Sequence, residues 1–192
     1  VGQDGALLAF DTGPGNALID DWMLQKTGQK YDKNGEAAAS GRVDETVLAG
    51  LLAHPFFNAP PPKSLDRNDF VSASWQHLPV NDGAATLTAF TVRAIARAAE
   101  FLPQKPQRWI VSGGGRLNAE IMHGLRSVLG VPVNPIEDIG FDGDAIEAEA
   151  FAYMAVRSLR GLPISFPGTT GAPRDMTGGT VHEPRGKTAG VA

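Results

Sequence analysis

Two short stretches hold the residue types best suited to chemistry. Asp11-Thr12-Gly13-Pro14-Gly15-Asn16 follows a brief apolar run, and Ser112-Gly113-Gly114-Gly115 follows Trp109-Ile110-Val111. Each has the order strand, glycine turn, helix start. Such a turn turns backbone N–H groups outward at the positive end of a helix dipole, an arrangement that suits phosphate. Glycine lets a ligand come close because no Cβ stands in the way. The same glycines also serve any tight strand-to-helix turn. One such turn is therefore a weak signal, and two in one chain tilt the balance toward a nucleotide.

Asp11 ends the first apolar run, and ligands of open α/β sheets gather at the carboxyl ends of strands. A carboxylate there can act as a general base or hold a metal-bound water. The alternative is an Asp that bonds the N–H groups of its own turn. Glu147 is the fourth residue of Asp144-Ala145-Ile146-Glu147. That pattern is a capping box, in which Glu147 would bond the Asp144 N–H; otherwise its carboxylate meets ligand hydroxyls. Asn118 either touches a ribose or faces solvent. Lys63 and Arg67 either pair with phosphate or stay solvated. The four histidines (His54, His77, His123 and His182) show no metal-ligand spacing.

Three motifs lack their partners. Asp11-Thr12-Gly13 matches the aspartic protease tripeptide, but that chemistry needs two carboxylates side by side and there is one copy. Gly186-Lys187-Thr188 resembles the end of a P-loop without the upstream glycine. His182-Glu183 lacks the second histidine of a zinc protease.

The elements that must position these residues follow from periodicity. Residues 6–10 read as a buried strand, and 17–24 as a helix started by Asn16 with Leu18, Ile19, Trp22 and Met23 on one face. Residues 28–41 read as loop. Asp44 is placed to cap a helix that carries Val47, Leu48, Leu51 and Leu52 and ends before Pro55. Pro60-Pro61-Pro62-Lys63 marks an extended loop. Residues 84–102 form the longest helical pattern, 109–111 a strand, 116–129 a helix closed by Gly130, 131–133 a strand, and 144–159 a helix. The final 26 residues hold six Gly and three Pro and read as a loop-like tail. The order β-α-α-α-β-α-β-α predicts an α/β layered fold.

Composition sets the outer bounds. The chain has 192 residues, 17 Lys plus Arg against 21 Asp plus Glu, a net charge of −4 and no Cys. That length suffices to bury a core. The acidic balance argues against a nucleic-acid or membrane-surface partner. The lack of Cys excludes disulfides and thiolate chemistry. No apolar run approaches the roughly 20 residues of a membrane span. The chain begins with Val1 just ahead of an apolar run, so its start is not expected to be that of a complete protein.

Taken together, the motifs resemble a known family. Phe10-Asp11-Thr12-Gly13-Pro14-Gly15-Asn16, Pro60-Pro61-Pro62-Lys63-Ser64, Val111-Ser112-Gly113-Gly114-Gly115-Arg116-Leu117-Asn118, Glu147-Ala148 with Phe151-Ala152, and Thr170-Gly171-Ala172 occur in that order. This set is similar to that of the anhydro-N-acetylmuramic acid kinases over nearly the whole chain. The resemblance implies an RNase H-like lobe of the actin/Hsp70/hexokinase-like fold. It implies an enzyme that uses ATP and Mg²⁺ to convert 1,6-anhydro-N-acetylmuramic acid and water to N-acetylmuramic acid 6-phosphate, in the cytoplasm, during cell-wall recycling. Asp11 would be the base that deprotonates the attacking water. Thr12, Gly13, Gly15 and Asn16 would lie beside the phosphates, with Ser112, Gly113, Gly114, Gly115 and Asn118 on the adenosine side. Glu147 would bind the sugar, and no residue of this chain is assigned to the metal. Family members are nearly twice as long, and their opening phosphate loop has no counterpart here. The resemblance therefore implies a C-terminal half, with a kinase lobe at 1–166, a tail at 167–192, an incomplete sheet at its start and little activity alone. Its partners would be the sugar, ATP, the N-terminal lobe and, as one arrangement, a second copy. Two other readings stay open: another carbohydrate kinase of this fold, or an actin-like nucleotide-binding module without catalysis.

Overall fold

The long helix α4, Val80–Ala98, organises the molecule. In the computed structural model, which describes residues 7–70 and 73–182, four other helices pack against it. Its apolar positions recur at helical spacing, so Ala84, Leu87, Phe90 and Ala94 are all buried. Helix α1, Ala17–Thr27, presents Leu18, Ile19, Trp22 and Met23 to it, the face the sequence predicts. Gly83 is the contact point. A Cβ there would run into the Trp22 ring, and the Trp22 indole N–H donates to the Val80 carbonyl at 2.8 Å. Burying each large apolar side chain in this layer contributes about 1.5–3 kcal/mol.

The stretch 28–41, expected to be loop, holds structure of its own. Gly28 closes α1 in the left-handed conformation. Asp32, itself buried, then accepts hydrogen bonds from the N–H groups of Ala37 and Ala38. That carboxylate supplies the cap that lets the short α2, Glu36–Ala39, form after a 3₁₀ turn. The missing signal is distance: the cap lies five and six residues upstream instead of two or three. Helix α3, Glu45–Leu52, starts as predicted, with Asp44 accepting from the Thr46 and Val47 N–H groups. Phe56, Phe57, Phe70 and Phe90 then form an aromatic cluster with centroids 5.5–6.1 Å apart.

Strands β1, Trp109–Val111, and β2, Val133–Pro135, pair in parallel, Trp109 opposite Val133 and Val111 opposite Pro135. Helix α5, Ala119–Leu129, makes the crossover, buries Ile121, Met122 and Leu125, and ends at left-handed Gly130. The observed start of β2 is two residues later than expected. Helix α6, Ile146–Leu159, and the one-turn α7, Pro167–Thr170, complete the described chain.

The strand expected at 6–10 is not formed among the described residues. Leu7 and Leu8 are exposed, and no strand lies alongside them. The Ala9 N–H instead bonds the Gly168 carbonyl, and the Asp11 N–H bonds the Lys63 carbonyl. An apolar run becomes a strand only where a neighbour takes up its backbone groups. The two-stranded sheet offers no such edge to residues 7–10. Ala6, Glu183 and Gly186-Lys187-Thr188 lie outside the described residues. The capping box at Asp144 is also absent: the α6 N-cap is Ala145, with no side-chain cap bond. The tail is less featureless than expected, since Ser165 and Met176 form an antiparallel bridge after α6.

Candidate functional site

Helix α4 holds the first glycine turn from behind. The Thr91 hydroxyl donates to the Gly15 carbonyl at 2.6 Å. A Cβ on Gly13, whose φ is +150°, would lie 3.2 Å from the Ala94 Cβ. That close approach and the positive φ both call for glycine. Beyond the turn, Asn16 does not cap α1 with its side chain. Its amide donates to Asp20 Oδ2 at 2.6 Å. The α1 N-terminus is therefore left without a side-chain acceptor, with its positive dipole end open beside Gly13 and Gly15. Burial pushes the Asp20 carboxyl up from its ordinary value, against the opposing effect of the Asn16 bond.

Asp11 is exposed and turns away from its own loop. Its Oδ2 accepts from the Ser64 hydroxyl at 2.8 Å and the Leu65 N–H at 3.1 Å. Oδ1 has no protein partner among the described residues. The segment after the triple proline thus fixes the carboxylate and leaves one oxygen available. Lys63, weighed as a phosphate ligand, is engaged elsewhere. Its ammonium donates to the Phe56 carbonyl and sits over the Phe101 and Phe56 rings, at 4.2 and 4.7 Å. Desolvation in that setting lowers its pKa, with the Arg97 charge a lesser cause.

The second turn is built around a residue quoted in sequence only as part of a motif. The Arg116 guanidinium, with its side chain 5% exposed, reaches Glu137 and Asp144, each at 2.7 Å, and the Gly113 carbonyl at 3.0 Å. It ties the turn to the 3₁₀ segment after β2 and to the approach of α6. Gly143 is buried against this clamp, because a Cβ there would strike Arg116. Hydrogen bonds from Arg116 hold the Glu137 carboxyl below its ordinary value, and those to Asp144 and Glu137 raise the guanidinium's. No spacing rule could reveal this, since the three partners are separated by 21 and 28 residues. Asn118 does not face solvent. It is buried, and its Oδ1 accepts from the Glu120 and Ile121 N–H groups as the cap of α5.

The two turns meet at Asn16. A Cβ built on Gly114 would lie 3.5 Å from its amide nitrogen, and one on Gly115 would lie 3.9 Å from its amide oxygen. Ser112, Gly113 and Gly114 are exposed around it, and Thr12, Gly13 and Gly15 are half-buried. Glu147 stands exposed in the first turn of α6, and its side chain has no hydrogen-bond partner among the described residues. Two cavities, of about 360 and 280 Å³, open between α2, α4 and α5 and beside Asp32. Neither contains a predicted site residue, and Asp11, Ser112, Gly113, Gly114 and Glu147 are exposed. No group of three or more His, Asp or Glu side chains converges among the described residues.

The family model for anhydro-N-acetylmuramic acid kinase matches residues 2–184, with both turns inside the match. The chain belongs to that family. Curated anhydro-N-acetylmuramic acid kinases from Methylobacterium nodulans, Rhizorhabdus wittichii and Rhodospirillum rubrum are 54, 55 and 56% identical to it. The alignments cover 96, 94 and 90% of this chain but 49, 50 and 46% of those kinases. The chain therefore spans about half the length of the curated kinases it matches. No helix among the described residues is long and apolar enough to cross a membrane.

Proposed function

We propose that this chain is the C-terminal lobe of an ATP-dependent kinase that opens 1,6-anhydro-N-acetylmuramic acid with water and phosphorylates O6, giving N-acetylmuramic acid 6-phosphate for cell-wall recycling in the cytoplasm. The lobe, of the RNase H-like type in an actin/Hsp70/hexokinase-like fold, takes in 1–166, and 167–192 is its tail. The observation that carries the reading is the junction at Asn16. It joins an uncapped helix N-terminus to the triple-glycine turn, exposed at Gly113 and Gly114, with Asp11 at the end of the same short loop as Asn16.

The residues present fit a nucleotide on this face. The α1 N-terminus and the Gly13–Gly15 backbone offer N–H groups to phosphate, and α5 does not, because Asn118 already occupies its first turn. Of the two turns, the first suits phosphate, and Gly113–Gly115 provides a side-chain-free surface beside it. ATP supplies the γ-phosphoryl group. Mg²⁺ would accompany the phosphates, and no carboxylate cluster of this chain is assigned to it.

Asp11 Oδ1 takes a proton from a water as that water bonds to C1 of the sugar. The C1–O6 bond breaks, and the electron pair left on O6 would capture the γ-phosphoryl group of ATP as its bond to the bridging oxygen breaks and ADP leaves. The bonds from Ser64 and Leu65 hold the carboxylate in one orientation, which a base needs if it is to aim a poor nucleophile. Glu147 would bind sugar hydroxyls from the start of α6. The chain alone lacks the facing wall and is expected not to turn over.

The test is Asp11→Asn in a protein that joins this lobe to the other half. The expected result is a rate loss of roughly three orders of magnitude with nucleotide affinity retained. An unchanged rate would refute the base assignment and favour a binding module. Phosphorylation of other sugars in preference to the anhydro sugar would favour a different carbohydrate kinase.

A further inference from the structure

Helix α6 is built like a core helix and has no core to face. Ala148, Phe151, Ala152, Ala155 and Leu159 stand at i, i+3, i+4, i+7 and i+11, the spacing of a single helix face. All five are exposed; Phe151 is 70% exposed and Leu159 69%. No charged residue interrupts the stripe. The contacts that hold α6 come from behind the stripe and from one flank of it: Arg157 donates to the Pro163 carbonyl, the Ser158 hydroxyl, two turns after Phe151, bonds the Gly178 carbonyl, and Met154 is half-buried. A solvated helix would carry charges on its open side. This one instead carries two large apolar groups with alanines between them, which lets another element come close.

We infer that this α6 face is the docking surface for the half of the kinase that the chain does not span. The relatives supply the occupant. The family match runs through α6, and about half of each relative's length lies outside the aligned region. A stripe without charge calls for an apolar partner and argues against nucleic acid or an acidic peptide. Glu147 lies one turn before Phe151 on the same side of α6. A half seated on Phe151 therefore sets a wall beside the exposed Glu147. The inference rests on the reading of this chain as one half of a longer kinase.

The chain has no cysteine, so single cysteines report cleanly. Phe151→Cys and Leu159→Cys would be labelled with a maleimide in the chain alone and in a chimera carrying the unspanned half of the Methylobacterium nodulans kinase ahead of Val1. Val128→Cys, exposed on α5, is the control. Labelling at 151 and 159 is expected to slow at least about tenfold in the chimera, with 128 unchanged. Equal rates in both proteins overturn the inference. Slowing in the chain alone that grows with its concentration also overturns it and assigns the face to a second copy. Should the chimera not fold, the two halves co-expressed as separate pieces give the same decision. Retention of this chain on a tagged partner half is expected, with loss in Phe151→Asp/Leu159→Asp, whereas retention by that variant overturns the inference. Protection without sugar phosphorylation leaves the docking face standing and sinks the kinase reading. Turnover with 151 and 159 unprotected sinks the docking face alone.

Discussion

The layer around α4 and the segment around α6 come from one chain and follow opposite rules. In α4 the apolar positions are covered: Leu87 and Phe90 are fully buried, and Thr86 and Thr91 use their hydroxyls on backbone carbonyls. In α6 no residue is buried, although Phe151, Val156 and Leu159 are as apolar as the side chains of the core. The difference separates what this chain stabilises for itself from what it holds out for a partner. It also divides the site. The first glycine turn rests on the first region through Thr91 and Ala94, while Glu147 belongs to the second.

The largest effect that would test this contrast is at Phe90. Phe90→Ala should cost about 3–5 kcal/mol in denaturant unfolding, because the ring is fully buried among Phe57 and Phe70. A cost near zero would mean that the α4 layer is not the folding core. Next comes Asn118→Ala, expected to cost about 1 kcal/mol by uncapping α5. Fluorescence melts would show it without any ligand present, which separates a cap from a ribose contact. Asp20→Asn should give a smaller change that depends on pH. Burial raises the folded-state pKa of Asp20. The folded chain therefore keeps a proton that the unfolded chain has lost, and stability falls as pH rises from the ordinary carboxylate value through the raised one. The substitution should raise Tm at about pH 7 and leave it unchanged near pH 3. The smallest effect is at Phe151→Ser, expected within about 0.5 kcal/mol of zero in the chain alone. A large loss there would show that α6 already packs on its own lobe.

Much of the helical layer was legible because its signals are local. The faces of α1 and α3, the Asp44 cap and the Gly130 stop each depend on residues within a turn or two of one another. The first strand was not legible, because a strand needs a neighbour and residues 7–10 have none here. Asp32 hid its cap by lying five residues before Ala37, and Asp144 traded its expected capping role for Arg116. At the site, sequence singled out both glycine turns and Asp11. It could not say that Asn16 lies between the turns, that Ser64 and Leu65 hold Asp11, or that Asn118 serves α5.

The amino-acid order alone determined the buried faces of α1 and α3, the Asp44 cap, the Gly130 stop and the two glycine turns, since side-chain period and backbone freedom act over a few residues. Only the tertiary structure decided which of those turns keeps an open helix end, which carboxylates Arg116 gathers, and which apolar helix stays bare. Those outcomes depend on contacts between residues dozens of positions apart, where burial and competition for hydrogen bonds outweigh local preference.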